Sequence, residues 1–555
     1  MTSLSVDTAD MRKARGAFFT PTAVAQFLTD WAIRTPNDRI LEPSCGDAEF
    51  LTQAALRLDS LGVGRGAANQ LVGVELHADS AKAGQQRVRA AGGEASIHVG
   101  DFFDWEPDAT FDAVVGNPPY IRYQDFAGES RNAGRRAALR AGVRLTALAS
   151  SWAAFVAYSS LFLKPGGRLA LVIPAELLSV NYAAPVRQLL LDQFAELELV
   201  MFEERVFPGV LEEVLLVMAD GYRSGSAKHA TITQVRSAGD LGEATTGHKW
   251  TPLNATGKWT TSMLPVHSRD AYAVVTSAET FTALSTWGET TLGAVTGNNA
   301  FFCLSPNRAR ELDIPAHELL PLSPPGSRHL RQLALTPGQL DKLGQAGEAT
   351  WLFRPSAHPS PQSQAYIETG HRAGVDLAYK CRVRRPWWRV PVSRPADLFL
   401  TYMNADTPRI TSNTAGALHL NSVHGVYLKP EHRNLGRRLL PLASLNSATL
   451  LSAELVGRSY GGGMLKIEPR EADSLLVPSP ESVSRTAVEL TGVRARVLRR
   501  LQAGDLLGAV ELVDRAFIAA DITSAELTGE LSTARATLYR RRVSRGAEPS
   551  RRAHD

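Results

Sequence analysis

Four consecutive residues, Asn117-Pro118-Pro119-Tyr120, have side chains and spacing suited to chemistry on an amino group. The prolines fix φ and lack a backbone N–H, so the carbonyls beside them stay free to accept hydrogen bonds. The amide carbonyl of Asn117 adds an acceptor, and two acceptors can hold both hydrogens of an exocyclic NH2 and aim its lone pair. Tyr120 offers a flat face for the ring. The tetrapeptide predicts methylation of an amino nitrogen, although a strand-ending turn with an exposed tyrosine has the same composition.

The segments that must position this tetrapeptide are apolar stretches alternating with helical patterns. Residues 39–42 run into a tight turn at Gly46, and a helical pattern begins at Phe50. Further strands are predicted at 70–75, 95–103, 111–116 and 169–174, with a helical pattern at 151–163. Strands and helices in this order imply right-handed βαβ crossovers, and therefore an α/β fold with a doubly wound, Rossmann-like sheet.

Polar residues follow these predicted strands at the sheet edge where open α/β folds bind nucleotides. Glu75 ends the second strand and is placed to bind ribose hydroxyls. The third strand ends in Asp101 and Phe102, which would supply an acceptor for an adenine amine and an apolar lid. The sequence thus predicts a nucleotide-like cofactor beside the tetrapeptide.

In this order the motifs resemble those of the gamma-class N6-adenine DNA methyltransferases, which belong to restriction-modification systems. Residues 15–21 are similar to the N-terminal cofactor motif of that family, and residues 206–217 resemble the later motif whose phenylalanine packs on an extruded base. The resemblance implies S-adenosylmethionine as cofactor and the N6 amine of a flipped adenine in double-stranded DNA as the methyl acceptor. It implies no metal.

The resemblance also assigns roles to individual residues. The catalytic residues are predicted to be Asn117, Pro118, Pro119, Tyr120 and Phe207, although Phe207 would fit a core position as well. Cofactor contacts are predicted at Phe19, Thr20, Pro21, Glu42, Cys45, Gly46, Glu75, Asp101, Phe102, Asn117 and Pro119. One departure stands out, because Ala48 and Glu49 occupy positions where the family usually has smaller residues, and alanine disfavours positive φ.

Composition sets outer bounds. A chain of 555 residues exceeds what one hydrophobic core usually supports, so at least two domains are expected. The formal net charge of +4 permits nucleic-acid binding without requiring it. The three cysteines are far apart and suggest neither a zinc site nor a disulfide framework. No apolar run long enough for a bilayer and no signal peptide are seen, so a soluble, cytoplasmic protein is expected.

Changes in pattern along the chain predict four regions. We expect a cofactor-binding catalytic domain at 1–225, a linker with irregular strands at 226–290, a mixed α/β target-recognition domain at 291–480, and a helical segment with a basic tail at 481–555. Segments 291–302, 379–390, 445–447 and 457–467 are similar to parts of the target-recognition region of these methylases.

Within that region, cations interleaved with aromatic rings predict contact with DNA, since cations bind phosphates and planar groups stack on bases. The predicted DNA-binding residues are Lys380, Arg382, Arg384, Arg385, Trp387, Trp388, Arg389, Arg458 and Lys466. The alternative is that the tryptophans anchor a domain core and the arginines form a solvated face. The basic end of the chain would add nonspecific DNA affinity or remain disordered, solvated charge.

Other functions stay open at this point. Related tetrapeptides serve methylation of N4-cytosine, of ribosomal RNA and of glutamine amides in proteins, but those RNA and protein enzymes are compact and would leave half of this chain unused. A noncatalytic DNA-binding subunit that keeps the methylase fold is a further alternative. A separate restriction endonuclease or defence-system proteins are partners that the resemblance implies.

Overall fold

The computed structural model describes residues 20–63, 70–204, 206–207, 213–243, 247–252 and 254–546. The chain divides into two compact units, residues 1–262 and 263–555. The boundary falls inside the region predicted as a linker.

The first unit is built on a nine-stranded sheet with the order β3-β2-β1-β4-β5-β7-β6-β8-β9. Its strands are β1 (Ile40–Glu42), β2 (Leu71–Glu75), β3 (Ala95–Val99), β4 (Phe111–Gly116), β5 (Leu163–Pro174), β6 (Phe194–Phe202), β7 (Val214–Tyr222), β8 (Ala230–Val235) and β9 (His248–Trp250). Its α-helices are α1 (Thr22–Ala32), α2 (Glu49–Ser60), α3 (Ala78–Ala90), α4 (Gly128–Arg140), α5 (Ser151–Ser159), α6 (Glu176–Ser179) and α7 (Ala184–Gln193).

Strands β3, β2, β1, β4 and β5 are all parallel, and the direction of strand progression reverses between β1 and β4. Such a reversal opens a crevice at the carboxyl ends of the two central strands, where α/β proteins bind ligands. Strand β1 ends at Glu42, and β4 ends at Gly116, immediately before the tetrapeptide. The predicted doubly wound fold is confirmed, and the tetrapeptide follows a strand end at this edge, so the site predicted here stays a prediction with a suitable location.

The far side of the sheet holds a reversed strand that the sequence pattern did not reveal. Strand β7 lies between β5 and β6 and is antiparallel to both. Strand β8 then pairs in parallel with β6, and β9 pairs in antiparallel fashion with β8. The first part of the predicted linker is therefore an extension of the sheet of the first unit.

The second unit contains several smaller sheets and many helices. Its strands are β10 (Phe281–Ala283), β11 (Gly288–Leu292), β12 (Cys303–Leu304), β13 (Leu319–Pro321), β14 (Ala334–Leu335), β15 (Trp351–Phe353), β16 (Leu398–Thr401), β17 (Met403–Asn404), β18 (Ile410–Asn413), β19 (Val423–Leu428), β20 (Arg458–Tyr460), β21 (Met464–Lys466) and β22 (Leu476–Pro478). The largest sheet has the order β11-β19-β16-β18-β14.

The helices of this unit begin inside the predicted linker and continue to the end of the described chain. They are α8 (Val266–Ser277), α9 (Leu284–Trp287), α10 (Asn299–Phe302), α11 (Pro306–Glu311), α12 (Pro337–Gln345), α13 (Pro361–Arg372), α14 (Tyr379–Arg382), α15 (Arg433–Ala443), α16 (Ser447–Val456), α17 (Pro469–Asp473), α18 (Pro480–Arg485), α19 (Ala487–Gln502), α20 (Leu506–Ala519) and α21 (Ala525–Gly546).

One hydrophobic core joins the beginning and the end of the second unit. It includes Leu264 and Trp287 near the start, Leu451 in the middle, and Phe517 and Leu538 near the end. The C-terminal helices predicted as a separate segment thus share a core with the strands before them. A second core around Phe302, Phe353 and Cys381 lies under segments 294–322 and 349–392.

Within the described chain, no single helix is long and apolar enough to cross a membrane. A bent pair of helices, Arg433–Ala443 with Ser447–Val456 at 88°, meets the criteria of length and composition.

A buried carboxyl group links two helices of this core. Asp514 on α20 is 8% exposed and accepts hydrogen bonds from the backbone N–H of Ser447, at 3.0 Å, and from its hydroxyl, at 2.6 Å. It thereby caps the first turn of α16. Burial raises the pKa of Asp514 to about 6.

Replacing Asp514 by asparagine is expected to stabilise the protein at neutral pH. Between pH about 4 and 6 the unfolded chain ionises this group while the folded chain keeps its proton, so wild-type stability falls as pH rises through that window. The asparagine carbonyl can accept the Ser447 N–H, and its NH2 can donate to the Ser447 hydroxyl, all without ionising. The gain should therefore be roughly 1 to 3 kcal/mol at pH 7 and near zero at pH 4. Urea titrations at the two pH values measure it. Equal effects at both would show that Asp514 does not titrate on folding.

Candidate active site

The tetrapeptide lies where β4 ends, with its side chains held by hydrogen bonds. The Asn117 amide nitrogen donates to the Thr20 hydroxyl at 3.1 Å, and its carbonyl accepts from the Tyr120 hydroxyl. The same hydroxyl lies 3.1 Å from the carbonyl oxygen of Val172 on β5. The structure therefore brings together the predicted N-terminal motif, through Thr20, and the predicted catalytic residues. Phe19, which belongs to the same motif, lies outside the described residues.

The two proline carbonyls have different surroundings. The Pro119 carbonyl accepts a hydrogen bond from the hydroxyl of Ser151, which in turn accepts from the backbone N–H of Ile121 at 2.9 Å. No donor from the described residues reaches the Pro118 carbonyl, although Pro118 is buried. Because buried carbonyls are nearly always paired, this oxygen is a natural acceptor for a ligand hydrogen.

Ser151 was missed by the sequence analysis. It is fully buried at the first position of α5 and holds the chain on both sides of Tyr120. No local pattern marks it, since its contact with Pro119 joins residues 32 positions apart.

The glycine turn after β1 is joined to the end of β2. Gly46 has φ +50 and donates its N–H to a carboxylate oxygen of Glu75 at 2.9 Å. The other Glu75 oxygen accepts the N–H of His77 at 2.9 Å. A Cβ built on Gly46 would meet nothing within 4 Å, so the turn faces open space beside the Glu75 carboxylate. This geometry leaves room for a ligand in front of the turn.

Glu42 and Cys45 lie deeper in the same region. Each is 3% exposed, and one Glu42 carboxylate oxygen accepts the backbone N–H of Leu51 at 3.1 Å. Burial raises the pKa of Glu42 well above its usual range, and the nearby carboxylates Asp47, Glu49 and Glu75 add to the shift. Burial also raises the pKa of the Cys45 thiol. Burial therefore favours the protonated form of both groups.

Asp101 and Phe102 follow β3, rather than ending it, and have structural partners. Asp101 accepts the N–H of Phe103 at 2.9 Å. The Phe102 ring stacks on Phe155 at 5.5 Å and on Phe162 at 5.1 Å between ring centroids. Phe102 is 3% exposed and so contributes to the core of the first unit. Its role as a lid over a cofactor stays a prediction.

Ala48 and Glu49, the two residues that depart from the usual turn of the family, each face a residue on α3. Ala48 adopts φ +61, the left-handed conformation that alanine disfavours by about 1 to 2 kcal/mol. A Cβ on Gly84 would lie 3.0 Å from the Ala48 methyl, so glycine at 84 makes the room that alanine at 48 needs. Glu49 forms an ion pair with Arg87, which also binds Asp47 at 2.6 Å. The turn and α3 are thus complementary.

This complementarity predicts coupling in a double-mutant cycle. Gly84→Ala should destabilise the wild type by up to about 2 kcal/mol, because overpacking exceeds the gain in helix propensity. In an Ala48→Gly background the added methyl meets only the Gly46 carbonyl oxygen and the Ile97 methyl, both at 3.3 Å, so the cost should fall by about 1 kcal/mol. Urea unfolding of the four proteins measures the coupling. Additive effects would show that residues 48 and 84 do not restrict each other.

Phe207, the predicted second stacking face, is 3% exposed. Residues 208–212 of the same motif lie outside the described residues. The burial of the ring agrees with the core alternative that the sequence left open. Stacking on a base stays a prediction for Phe207.

In the predicted DNA-binding cluster of the second unit, some side chains face the hydrophobic core and others are exposed to solvent. Arg384 is 8% exposed and donates to the carbonyls of Val295, at 3.1 Å, and Thr296. Trp387 is partly buried and packs on Phe301, with 5.6 Å between ring centroids. Trp387 thus occupies a core position, as the alternative interpretation expected, whereas the buried Arg384 was expected by neither interpretation. Trp388, also partly buried, contacts Trp387.

Four cations of the cluster are exposed, namely Lys380, Arg382, Arg385 and Arg389. Near them, Lys380, Arg384, Arg394, His419 and Tyr427 help to line a groove of about 520 Å³. A concave surface with cationic and aromatic walls suits a nucleic-acid strand. The DNA role of the exposed members is a prediction that this surface supports.

The last two predicted DNA contacts have carboxylate partners. Arg458 lies 2.5 Å from a Glu471 oxygen, and Lys466 lies 2.6 Å from a Glu468 oxygen. The Lys466 ammonium also lies between the rings of Tyr402 and Tyr460. These ion pairs must open or be shared before either cation binds a phosphate. Among the described residues, no group of three or more His, Cys, Asp or Glu side chains could hold a metal ion.

Sheet topology, the glycine turn and the tetrapeptide together define a Rossmann-like methyltransferase, and comparisons with known proteins give the family. Residues 4–223 match the family model of the N-6 DNA methylases, and residues 256–518 match that of the C-terminal domain of the type II methyltransferase M.Eco57I. The chain belongs to this family of type II N6-type methyltransferases and is a DNA methyltransferase. The predicted resemblance is confirmed.

Individual relatives match most of the chain. The type II methyltransferase M.XamI of Xanthomonas campestris pv. amaranthicola is 27% identical over 489 residues, which cover 84% of this chain and 86% of the relative. M.AccI of Acinetobacter calcoaceticus is 22% identical over 387 residues, covering 66% and 68%. The type IIL restriction-modification enzyme MmeI, solved in complex with DNA, is 11% identical, covers 94% of this chain and 75% of its own, and has a TM-score of 0.58. That likeness shows a shared fold.

Proposed function

We propose that this protein transfers a methyl group from S-adenosylmethionine to the N6 amine of an adenine flipped out of double-stranded DNA, within a restriction-modification or phage-defence system. The observation that carries the proposal is the pair of acceptors at the end of β4. The Asn117 side-chain carbonyl and the Pro118 carbonyl, which receives no hydrogen bond from the described residues, belong to adjacent residues. Two such acceptors suit the two hydrogens of one exocyclic amine.

The Tyr120 hydroxyl can release the Asn117 side-chain carbonyl so that this oxygen can accept a hydrogen bond from a substrate amine. That hydroxyl has one hydrogen but lies near two acceptors, Asn117 and Val172. When a substrate amine donates to Asn117, the tyrosine hydrogen can turn entirely to the Val172 carbonyl. The Asn117 amide stays oriented by its own donation to Thr20. The exchange costs no hydrogen bond and leaves the Tyr120 ring in place for stacking.

The region in front of the glycine turn fits the cofactor. Open space at Gly46 lies beside the Glu75 carboxylate, whose oxygens each retain a lone pair for a ribose hydroxyl. S-adenosylmethionine, when bound, supplies a methyl group already activated by its sulfonium. The protein therefore has to orient the amine lone pair and exclude water, and needs no strong general base because a methylated ammonium is acidic.

Extruding the base has an energetic cost that the site can offset. Flipping costs a few kcal/mol, and stacking on an aromatic ring returns about 1 to 3 kcal/mol per base. Tyr120 supplies one ring, and we propose Phe207 as a second. We also propose that the exposed cations Lys380, Arg382, Arg385 and Arg389 bind phosphates in the recognition unit.

The test is incorporation of a radiolabelled methyl group from S-adenosylmethionine into DNA, followed by nucleoside analysis of the product. Label in N6-methyladenine is expected. Label in N4-methylcytosine would keep the methylase and overturn the adenine assignment. Label in ribosomal RNA or in a protein glutamine, but not in DNA, would overturn the proposed substrate, and no cofactor binding by calorimetry would favour a noncatalytic subunit.

A further inference from the structure

The segment directly after the tetrapeptide is the most basic stretch of the catalytic unit. Residues 121–144 contain six arginines and only two acidic residues, a net charge of +4 that equals the formal charge of the whole chain. Positive charge is thus concentrated within 24 residues of Tyr120, while the rest of the sequence is neutral in sum. Neither the cofactor site nor the recognition unit accounts for this concentration.

The helix in this segment is seated so that its cations face outward. The buried face of α4 consists of Ala133, Gly134, Ala137 and Ala138. A Cβ on Gly134 would come within 3.3 Å of Phe126, Phe103 and Ala154, so this face packs closely on its neighbours. Opposite it, Arg135, Arg136, Leu139 and Arg140 are exposed, and Leu139 is 57% exposed.

Two of the arginines have structural roles. Arg131 donates to the carbonyls of Tyr123, at 2.7 Å, and Phe126, and so shapes the loop before α4. Arg140 forms a bidentate pair with Glu106 and donates to the Tyr158 hydroxyl at 3.2 Å. These contacts fix the position of the helix.

Three other arginines are available for a ligand. Within the described chain, Arg135 and Arg144 have no carboxylate within 4 Å, and Arg135 makes one hydrogen bond, to the Leu145 carbonyl at 3.2 Å. Arg136 pairs with Glu129, but the two side chains are 64% and 79% exposed. Such a surface pair contributes little and exchanges readily for another anion. The exposed surface formed by Arg135, Arg136 and Arg144 is called here the α4 basic surface.

Hydrogen bonds made by Ser151 connect the segment that carries this surface to the predicted catalytic residues. Ser151 binds both the Pro119 carbonyl and the Ile121 N–H, and its own N–H donates to the Ile121 carbonyl at 3.0 Å. The start of the basic segment is therefore held in register with the acceptors for the amine. α4 also packs against α5, the helix that Ser151 begins. The helix that carries this surface is thus connected to the acceptors for the amine through Ser151 and α5.

We propose that the α4 basic surface binds the DNA phosphates next to the extruded nucleotide, independently of base sequence. The inference rests on the proposed function. Flipping rotates a nucleotide about its backbone, so phosphates near the base must be held while it leaves the stack. Arginines bind phosphate in a bidentate manner, and such contacts fix register without reading bases.

The test is a triple variant, Arg135→Gln, Arg136→Gln and Arg144→Gln, compared with Arg89→Gln, which removes an exposed arginine from α3. Duplex binding is measured by fluorescence anisotropy over a series of salt concentrations, with and without the methylation site. Each phosphate contact contributes about 0.9 to the slope of log affinity against log salt, so the triple variant should lose about 2 to 3 from the slope. Binding to both duplexes should weaken equally, by about tenfold or more, while Arg89→Gln matches the wild type.

The outcomes separate this inference from the proposed function. If the wild type methylates DNA and the triple variant keeps the wild-type slope, the inference is wrong and the proposed function stands. Weakening confined to the duplex with the site would also overturn it, since phosphate contacts are not sequence-specific. If the wild type neither binds nor methylates DNA, the proposed function is wrong, and the inference that rests on it is wrong as well. Cofactor titration by calorimetry should give the same affinity for wild type and variant, which shows that the unit is folded.

Discussion

Replacing Asn117 by alanine is expected to lower the methylation rate by about 10²-fold or more, the cost of losing one preorganised partner in other active sites. The variant keeps the Pro118 carbonyl but loses the acceptor that orients the second amine hydrogen. It also frees Thr20 and Tyr120 from the Asn117 amide. Single-turnover methylation with saturating cofactor and DNA measures the effect on the chemical step, and calorimetry should show that cofactor binding largely survives.

Asn37 offers a matched control in the same unit, because its side chain is exposed and lies outside the site. Asn37→Ala should methylate at the wild-type rate. A normal rate for Asn117→Ala would remove the role assigned to the side chain. A loss of cofactor binding in parallel with the rate would instead make Asn117 a cofactor residue.

Replacing Arg542 by methionine is expected to destabilise the protein by about 3 to 5 kcal/mol, because it leaves a buried carboxylate without its partner. The side chains of Arg542 and Glu454 are 4% and 3% exposed, and two guanidinium nitrogens lie 2.9 and 2.8 Å from the Glu454 oxygens. Arg542 also donates to the carbonyls of Asp406, at 2.8 Å, and Gly463. Urea unfolding followed by tryptophan fluorescence measures the loss.

Arg540 gives the control, since it is exposed on the same helix and Arg540→Met should change stability by less than about 0.5 kcal/mol. A second variant, Arg542→Met with Glu454→Leu, removes both charges and should recover much of the loss. If the single and double variants are equally unstable, the carbonyl contacts of Arg542 matter more than its ion pair. If Arg542→Met resembles Arg540→Met, the arginine is not structural.

The buried position of Arg542 could not be predicted from the sequence. The run Tyr539-Arg540-Arg541-Arg542 was interpreted as a basic tail that is solvated or binds DNA nonspecifically. In the structure these residues continue α21, and Arg542 joins that helix to loops more than 75 residues away in sequence. A local pattern cannot distinguish a buried arginine from a solvated one, because the partners that satisfy its donors are distant along the chain.

The catalytic edge could be predicted because its determinants are local. Buried parallel strands are continuous apolar runs, and the residue after each strand lies at the ligand edge by topology alone. This rule predicts that Gly46, Glu75 and Asn117 lie at this edge, and in the structure each follows or ends a parallel strand there, while their roles stay predictions. The reversed strand β7 and the late strands β8 and β9 were not, since their apolar pattern does not indicate direction or sheet order.

The second unit was harder to predict, because contacts between distant residues decide the position of its side chains. The basic and aromatic cluster has a uniform composition, and only tertiary packing separates Arg384 and Trp387, which face the core, from the exposed Lys380 and Arg382. The arginines of α4 were overlooked because they follow the tetrapeptide in a stretch with no family motif. Their significance depends on which face of the helix the alanines and glycine bury.

The shared core of the second unit limits how such enzymes can be recombined. Exchange of recognition modules between relatives is a natural route to new target sequences, and a crossover at residue 480 would seem convenient because helices follow it. That cut would separate Leu264 and Trp287 from Phe517 and Leu538, which form one core. Functional chimeras should therefore have their junction near residue 262. The whole of residues 263–555 should then come from one parent.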